Sequence, residues 1–263
     1  FSSFLFSIFT SFYYNEIENT YSKTTNLLEV YFLDVGQADS ILIKDNNNSM
    51  LIDAGNNDDG ELISNYIRSL GITNINYVVG THPHEDHIGG LDNIINDFSI
   101  NKILLPDAIT TTKTFEEVLD AIENKNTTYK VPTIGEKFNL GEATIEVIYT
   151  GTDTSDLNNT SIVLRLDYGN VSFLFTGDAT DKTEKLILNK NIDIDILKGG
   201  HHGSKYSTTN KFLEKTSPKH AIISVGTPNT YGHPNKETLN KLNNNNIKIH
   251  RTDKKGTILL RCY

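Results

Sequence analysis

Apolar runs of strand length recur along this chain, separated by polar turns and by stretches with helical spacing. Residues 30–33 (VYFL) and 41–43 (ILI) bracket a Gly-containing polar turn and predict two strands joined in a hairpin-like arrangement. Residues 50–52 (MLI), 75–79 (INYVV) and 171–175 (VSFLF) predict buried strands, each followed closely by Asp, His or Gly. Residues 192–198 alternate apolar and acidic positions at period two, the pattern of a half-buried strand. Residues 143–149 and 220–225 are also strand-like. Residues 62–70, 115–123 and 210–214 are helical in spacing, and another helix begins after Gly89-Gly90. The polar runs 45–49 and 243–246 read as a hairpin tip and a loop. Strands alternating with helices, and no repeat at a period of 20–50 residues, predict an α/β (α+β) fold.

Composition narrows this picture. A length of 263 residues is within reach of one α/β domain. The net charge of −9 argues against a broad basic face for nucleic acid, though not against a site that grips one phosphate. The single cysteine, Cys262, excludes an internal disulfide. Residues 1–14 are apolar and uncharged, too short to span a bilayer. Residues 1–28 are therefore expected to be the remnant of a membrane anchor or signal segment plus a polar linker. Residues 29–263 are expected to form the working domain, in an extracytoplasmic setting, membrane-anchored or secreted.

The chemistry concentrates at Thr81-His82-Pro83-His84-Glu85-Asp86-His87-Ile88-Gly89-Gly90. Imidazole nitrogen and carboxylate oxygen suit zinc and similar divalent ions. His82, His84, Asp86 and His87 are too dense for one helical stripe, so a tight loop is expected, with the Gly pair releasing the backbone from it. Such a loop at the carboxyl end of a strand is where open α/β sheets place their chemistry. Three further strands end in similar residues: Asp53-Ala54-Gly55, Gly177-Asp178, and Gly199-Gly200-His201-His202-Gly203-Ser204. An N-cap role competes for Asp178.

The pattern His-x-His-x-Asp-His after a strand resembles the metal motif of the metallo-β-lactamase superfamily. Residues 34–40 (DVGQADS), His-His-Gly-Ser-Lys at 201–205 and Tyr231-Gly232-His233-Pro234 are similar to the carboxyl-terminal metallo-β-lactamase-like domain of the ComEC competence family, and to secreted phosphorylcholine esterases. The resemblance spans roughly residues 29–262 and implies a four-layer αββα sandwich. It implies up to two ions, Zn2+ or Mn2+. His82 and His84 would serve one, Asp86 and His87 the other, with Asp178 bridging both and His202 completing the second. Asp53 would orient the metal loop. Asp86, His201 and His233 are expected to act at the reacting centre. Asn159, Lys198, Ser204 and Lys205 are expected to hold substrate, the last two beside a helix start suited to an anion. His220 and His250 read as structural.

One departure from the family stands out. Many members carry a further histidine between the second and fourth motifs, and this chain has none between His87 and Asp178. Asn158-Asn159-Thr160-Ser161 stands there instead, so the site of His82 and His84 is expected to be weaker and more favourable to manganese. The resulting expectation is a metal-dependent phosphodiesterase or nuclease, linked to DNA uptake, using a metal-activated hydroxide. Its substrate would be DNA or a choline-phosphate ester. The alternatives are a phosphorylcholine-ester or carboxylic ester or lactone hydrolase, and a non-catalytic metal-binding domain coupled to a membrane channel.

Overall fold

The computed structural model describes residues 11–13 and 27–263. The anchor or signal expectation covers residues 1–28, and of these 1–10 and 14–26 lie outside the described residues. The first sheet contains β1 (Ser11–Tyr13), β2 (Leu28–Phe32), β3 (Ile41–Asp45), β4 (Asn48–Ile52), β5 (Asn74–Val79), β6 (Ser99–Leu104), β7 (Tyr129–Lys130) and the last strand, β15 (Ile258–Cys262), in the order β1-β15-β2-β3-β4-β5-β6-β7. The second contains β8 (Lys137–Leu140), β9 (Ala143–Tyr149), β10 (Val163–Tyr168), β11 (Val171–Phe175), β12 (Ile196–Lys198), β13 (His220–Ile223) and β14 (Lys248–Arg251), in the order β14-β13-β12-β11-β10-β9-β8. Both sheets are mixed: β4 to β7 and β11 to β14 run parallel, and the hairpins β2–β3 and β10–β11 antiparallel.

Strand periodicity sends alternate side chains to opposite faces. Val30, Phe32, Met50 and Ile52 meet Leu164, Leu166, Phe173 and Phe175 between the sheets. Tyr31, Leu42, Leu51 and Val78 point outward beneath α1 (Gly60–Ser69), α3 (Leu91–Asp97) and α4 (Lys113–Asn124), packing on Ile63, Ile67, Ile94 and Val118. On the other outer face Leu174, Leu197 and Ile223 pack with Ile187 of α5 (Asp181–Ile187), Phe212 of α6 (Asn210–Thr216) and Leu242 of α7 (Lys236–Asn244). The result is helix, sheet, sheet, helix, the four-layer sandwich expected. Coverage of both faces explains why β2 is buried at every position. Two single-turn helices, α2 (Glu85–Ile88) and α8 (Thr252–Lys255), complete the set.

Several local expectations are revised. The histidine motif is a loop only through His84; Glu85 to Ile88 then form α2, so Asp86 and His87 project from a helical turn. The alternating run 192–198 forms a strand only at Ile196–Lys198; just ahead of it the Asp195 N–H donates to Ser172 O while its carboxylate accepts from Ser172 N and Oγ. The helix α7 has just Leu239 and Leu242 as apolar anchors, too weak a stripe to stand out, and Asn235 caps it. It runs through Asn244, into the segment read as a loop. Among the described residues no helix is long and apolar enough to cross a membrane.

The inter-sheet core should carry much of the stability. Phe173 and Phe175, fully buried and stacked at 5.8 Å between centroids, fill its centre. Phe173→Ala should cost about 3–5 kcal/mol in urea unfolding, with the m-value unchanged. A loss under about 1 kcal/mol would contradict this packing.

Candidate metal centre

The carboxyl ends of β4 and β5 in one sheet, and of β11 and β12 in the other, deliver the acidic and imidazole side chains to one seam. Asp53 N donates to Val79 O (2.8 Å) and Ile162 N donates to Thr81 O (2.9 Å), tying the loops after β4 and β5 to the start of β10. Asp178 N donates to Ser161 Oγ at 3.1 Å. Gly177 sits at φ +51°, where an added Cβ would meet Ser161 Oγ and Thr81 Oγ1 at 3.0 Å. The Gly89-Gly90 pair has a different role from the one expected. Both residues have ordinary negative φ, and a Cβ on Gly89 would fall 2.2 Å from the Asn56 backbone. Close approach of the 54–60 segment, not an unusual turn, demands glycine there.

Asp178 is the centre of the cluster. His87 Nε2 lies 3.2 Å from its Oδ1, while His201 Nε2 and His202 Nε2 each lie 3.5 Å from its Oδ2. Asp86 Oδ2 stands 3.3 Å from His202 Nε2 and 4.0 Å from His87 Nε2. His82 and His84 form the adjoining pair, Nε2 to Nδ1 at 2.9 Å, and the His82 ring centre is 4.1 Å from that of His87. The six residues expected as ligands are thus contiguous. Asp178 does not cap a helix; Thr180 caps α5, accepting from Lys182 N.

The far side of each key ring is fixed. His87 Nδ1 is 2.7 Å from Asp53 Oδ2, and Asp53 also accepts from Thr81 N (2.7 Å) and Thr81 Oγ1 (2.8 Å). His202 Nδ1 donates to Ser224 O at 2.9 Å. These bonds put the proton on Nδ1 and turn Nε2 towards the cluster. His87 Nε2, His202 Nε2 and Asp178 Oδ1 are buried with no hydrogen-bond partner. Such orphans ordinarily cost about 1–3 kcal/mol each, and a cation among them would satisfy all three. The donor set, nitrogen and carboxylate oxygen, fits a borderline divalent ion.

The field has the same sign. Against burial, Asp178, Asp53 and Asp86 hold the His87 pKa well above its ordinary value, and Asp178, Asp39 and Asp86 raise that of His202. Carboxylates that favour a proton on these nitrogens favour a metal ion there too. Asp178 is itself held well below the usual carboxylate range: burial opposes this, but His87, His202 and His201 prevail. His233, by contrast, is lowered to about 4 by burial and by its His201 and His202 neighbours. His82 is pushed well below its usual value, chiefly by burial and His87.

Sequence reasoning missed Asp39, which lies buried with His87, Asp178 and His202, one ligand atom from each falling within 4.8 Å of the others. Its approach, however, is to the wrong side of the rings. Asp39 is 3.8 Å from His87 Nδ1 and 3.7 Å from His202 Nδ1, nitrogens already committed to Asp53 and Ser224. It is also ion-paired to Lys198 Nζ. We therefore place Asp39 behind the ligand ring. The available signal was an Asp in a Gly-containing turn, two residues before the apolar run Ile41-Leu42-Ile43.

The four residues expected to hold substrate are corrected. Lys198 is 1% exposed, donates to Gly177 O (3.0 Å) and lies 3.7 Å from Asp178 Oδ1; it neutralises the acidic cluster from within. Ser204 is buried, and its hydroxyl accepts from Tyr206 N. Lys205 is exposed, over the Tyr206 ring and away from the cleft lining. The start of α6 is no open anion site, because the Glu184 carboxylate already accepts from Thr208 N and Thr209 N. Asn159 is buried, its amide accepting from Thr180 and Thr183 and donating to Asp156. Its neighbour Asn158 lines the cleft, with a buried Oδ1 lacking a partner.

The cleft, about 430 Å³, is lined by Asp86, Asp178, His84, His201, His202 and His233, with Gln37, Asn56, Glu85, Asn158 and Tyr231 around them. Among the described residues no Lys or Arg lines it. His201 (φ 47°) and His202 (φ 51°) are both left-handed, so the histidines themselves make the turn after β12. Two such residues in succession store backbone strain, of the kind that clusters at functional sites. His220 and His250 lie outside the cleft, paired at 2.9 Å.

Residues 33–227 match the metallo-β-lactamase superfamily model. Across 254 residues the chain is 30% identical to ComE operon protein 3 of Bacillus subtilis, covering 89% of this chain and 33% of that protein. It is 27% identical to recombination protein 2 of Haemophilus influenzae, covering 88% and 28%. The chain thus spans about a third of the length of these relatives. The metallo-β-lactamase fold protein YhfI of Bacillus subtilis shares the fold at a TM-score of 0.62 and 13% identity, covering 89% of this chain and all of that one. CmlA, a diiron β-hydroxylase of Streptomyces venezuelae, shares it at 0.60 and 13%, covering 92% and 55%. The motifs, the two-sheet sandwich and the Asp178-centred cluster all agree with these matches: the chain belongs to the metallo-β-lactamase superfamily.

Proposed function

We propose that this domain is a metal-dependent phosphodiesterase acting on nucleic acid, working outside the cytoplasm as part of a competence-type DNA-handling protein. The observation that carries it is the set of buried, partnerless Nε2 and carboxylate atoms at the floor of a polar cleft. Asp86, His87, Asp178 and His202 would hold one ion, and His82, His84 and Asp178 a second. When bound, such ions supply Lewis acidity and lower the pKa of water, so no Ser or Cys nucleophile is required. Asp53 keeps the His87 ring turned, and Lys198 with Asp39 balances charge behind it. His201 and His233 each present a buried Nδ1 with no partner, and lining the cleft they offer uncharged imidazoles to a substrate oxygen. The names of the relatives, a recombination protein and a competence protein, 38% identical over 106 residues and from Neisseria gonorrhoeae, support nucleic acid over other esters.

Among the described residues the lining carries three carboxylates, four imidazoles and no Lys or Arg, so bound ions would be needed to offset the carboxylate charge facing an anionic phosphodiester. The same lining favours a second reading, a neutral carboxylic ester or lactone as substrate. Assay of single-stranded DNA, phosphocholine esters and a lactone at controlled zinc and manganese separates them. Cleavage of DNA with added metal is expected; turnover of the lactone alone would overturn the first reading.

Asp178→Ala should abolish tight metal binding and hydrolysis while leaving a folded domain, by calorimetric metal titration and circular dichroism. Retention of two ions at full affinity would contradict its central place. Asp53→Ala should weaken metal binding about 10–100-fold, since the His87 ring loses its anchor; unchanged affinity would remove Asp53 from this role. The unaltered protein should bind metal stepwise, one ion tightly and one weakly, with manganese raising activity beyond one equivalent. Asn158→His should tighten the weaker site. Two equally tight zinc ions in the unaltered protein would contradict the stepwise scheme.

A further inference from the structure

Tyr231 is the one large exposed side chain with an aromatic face on the wall of the metal cleft. It is 70% exposed, and its ring lies over His233 at 5.8 Å between centroids and 25° between planes. His233 in turn lies 6.5 Å and 23° from His202, whose Nε2 faces Asp178. The three rings form a tilted stack running from the ligand cluster to the mouth of the cleft. The loop that presents them is stapled: Asn229 Nδ2 donates to Gly226 O (2.7 Å) and His233 O (2.8 Å), and Asn229 Oδ1 accepts from His233 N. The platform is therefore held in place before any ligand arrives.

A flat, open aromatic face held over the mouth of the cleft suits another flat ring. We propose that Tyr231 is a stacking platform for a nucleobase of a single-stranded substrate, flanking the phosphodiester held at Asp178. This rests on the phosphodiesterase reading and names its substrate class. A single strand is favoured because only unpaired bases can leave their neighbours to stack on a protein ring. The cleft lining has no Lys or Arg, so the platform would supply affinity that basic side chains supply elsewhere. A quaternary ammonium would instead call for an aromatic cage, and among the described residues Tyr231 is the only Tyr, Phe or Trp lining this cleft.

The test compares two short, phosphorothioate-linked strands by fluorescence anisotropy with the manganese-loaded protein: oligodeoxythymidylate and an abasic strand of equal length. Tyr231→Ala should weaken the base-bearing strand about tenfold and leave the abasic strand unchanged, while Tyr231→Phe should keep wild-type affinity. Equal weakening of both strands, or none, would overturn the proposal. So would selective loss of affinity for glycerophosphocholine, measured in parallel. Cleavage of ordinary phosphate-linked strands by the unaltered protein is scored separately. Its absence would sink the phosphodiesterase reading while the stacking result still stands or falls by itself.

Discussion

The site depends on one buried carboxylate, Asp178, delivered by the second sheet into a ring of imidazoles drawn from both. His87 reaches it from the first sheet's loops, and His201 and His202 from the turn after β12. A lone buried carboxylate would be prohibitive. Here it is offset by the facing rings and by Lys198, itself sealed between Asp39 and Asp178. The arrangement remains acidic, and this acidity makes the cluster seek a cation. The strained left-handed pair His201-His202, and Asp53 at φ 60°, persist because bonds to Ser224, Thr81 and His87 over-determine them.

Much of this was legible in the sequence because the motifs are local. Each cluster of Asp and His directly follows an apolar run, so strand and ligand could be read together. The runs by themselves gave an α/β (α+β) fold and the family resemblance implied the sandwich, in which alternation along β2, β4 and β11 sorts inner from outer faces. What was not legible depends on residues distant in sequence. Nothing near Lys198 or Ser204 announces that one is buried against Asp39 and the other under Tyr206. The start of α6 reads as an anion site until Glu184, from another helix, fills it. Of Asn158 and Asn159, the 3-10 turn at Leu157–Thr160 buries the second and turns the first to the cleft.

These corrections reshape the functional account. With Lys198, Lys205 and the α6 terminus outside the lining, the cleft presents three carboxylates, four imidazoles and no Lys or Arg among the described residues. On the proposed reading, substrate binding would depend on bound ions and on the Tyr231–His233 stack at the rim. Asn158, with its partnerless oxygen, stands as a weak oxygen donor near the place where a histidine is usual in the family. On the proposed reading, the two metal positions would be unequal in donor strength.

The central claim is that ions sit on the Nε2 side of His87 and His202, with Asp39 behind. Anomalous diffraction from manganese-soaked crystals tests it most directly. The account predicts a strong peak bounded by His87 Nε2, His202 Nε2, Asp86 and Asp178, with a weaker one beside His82 and His84. A peak seated instead between Asp39 and the Nδ1 atoms of His87 and His202, displacing Lys198, would contradict it.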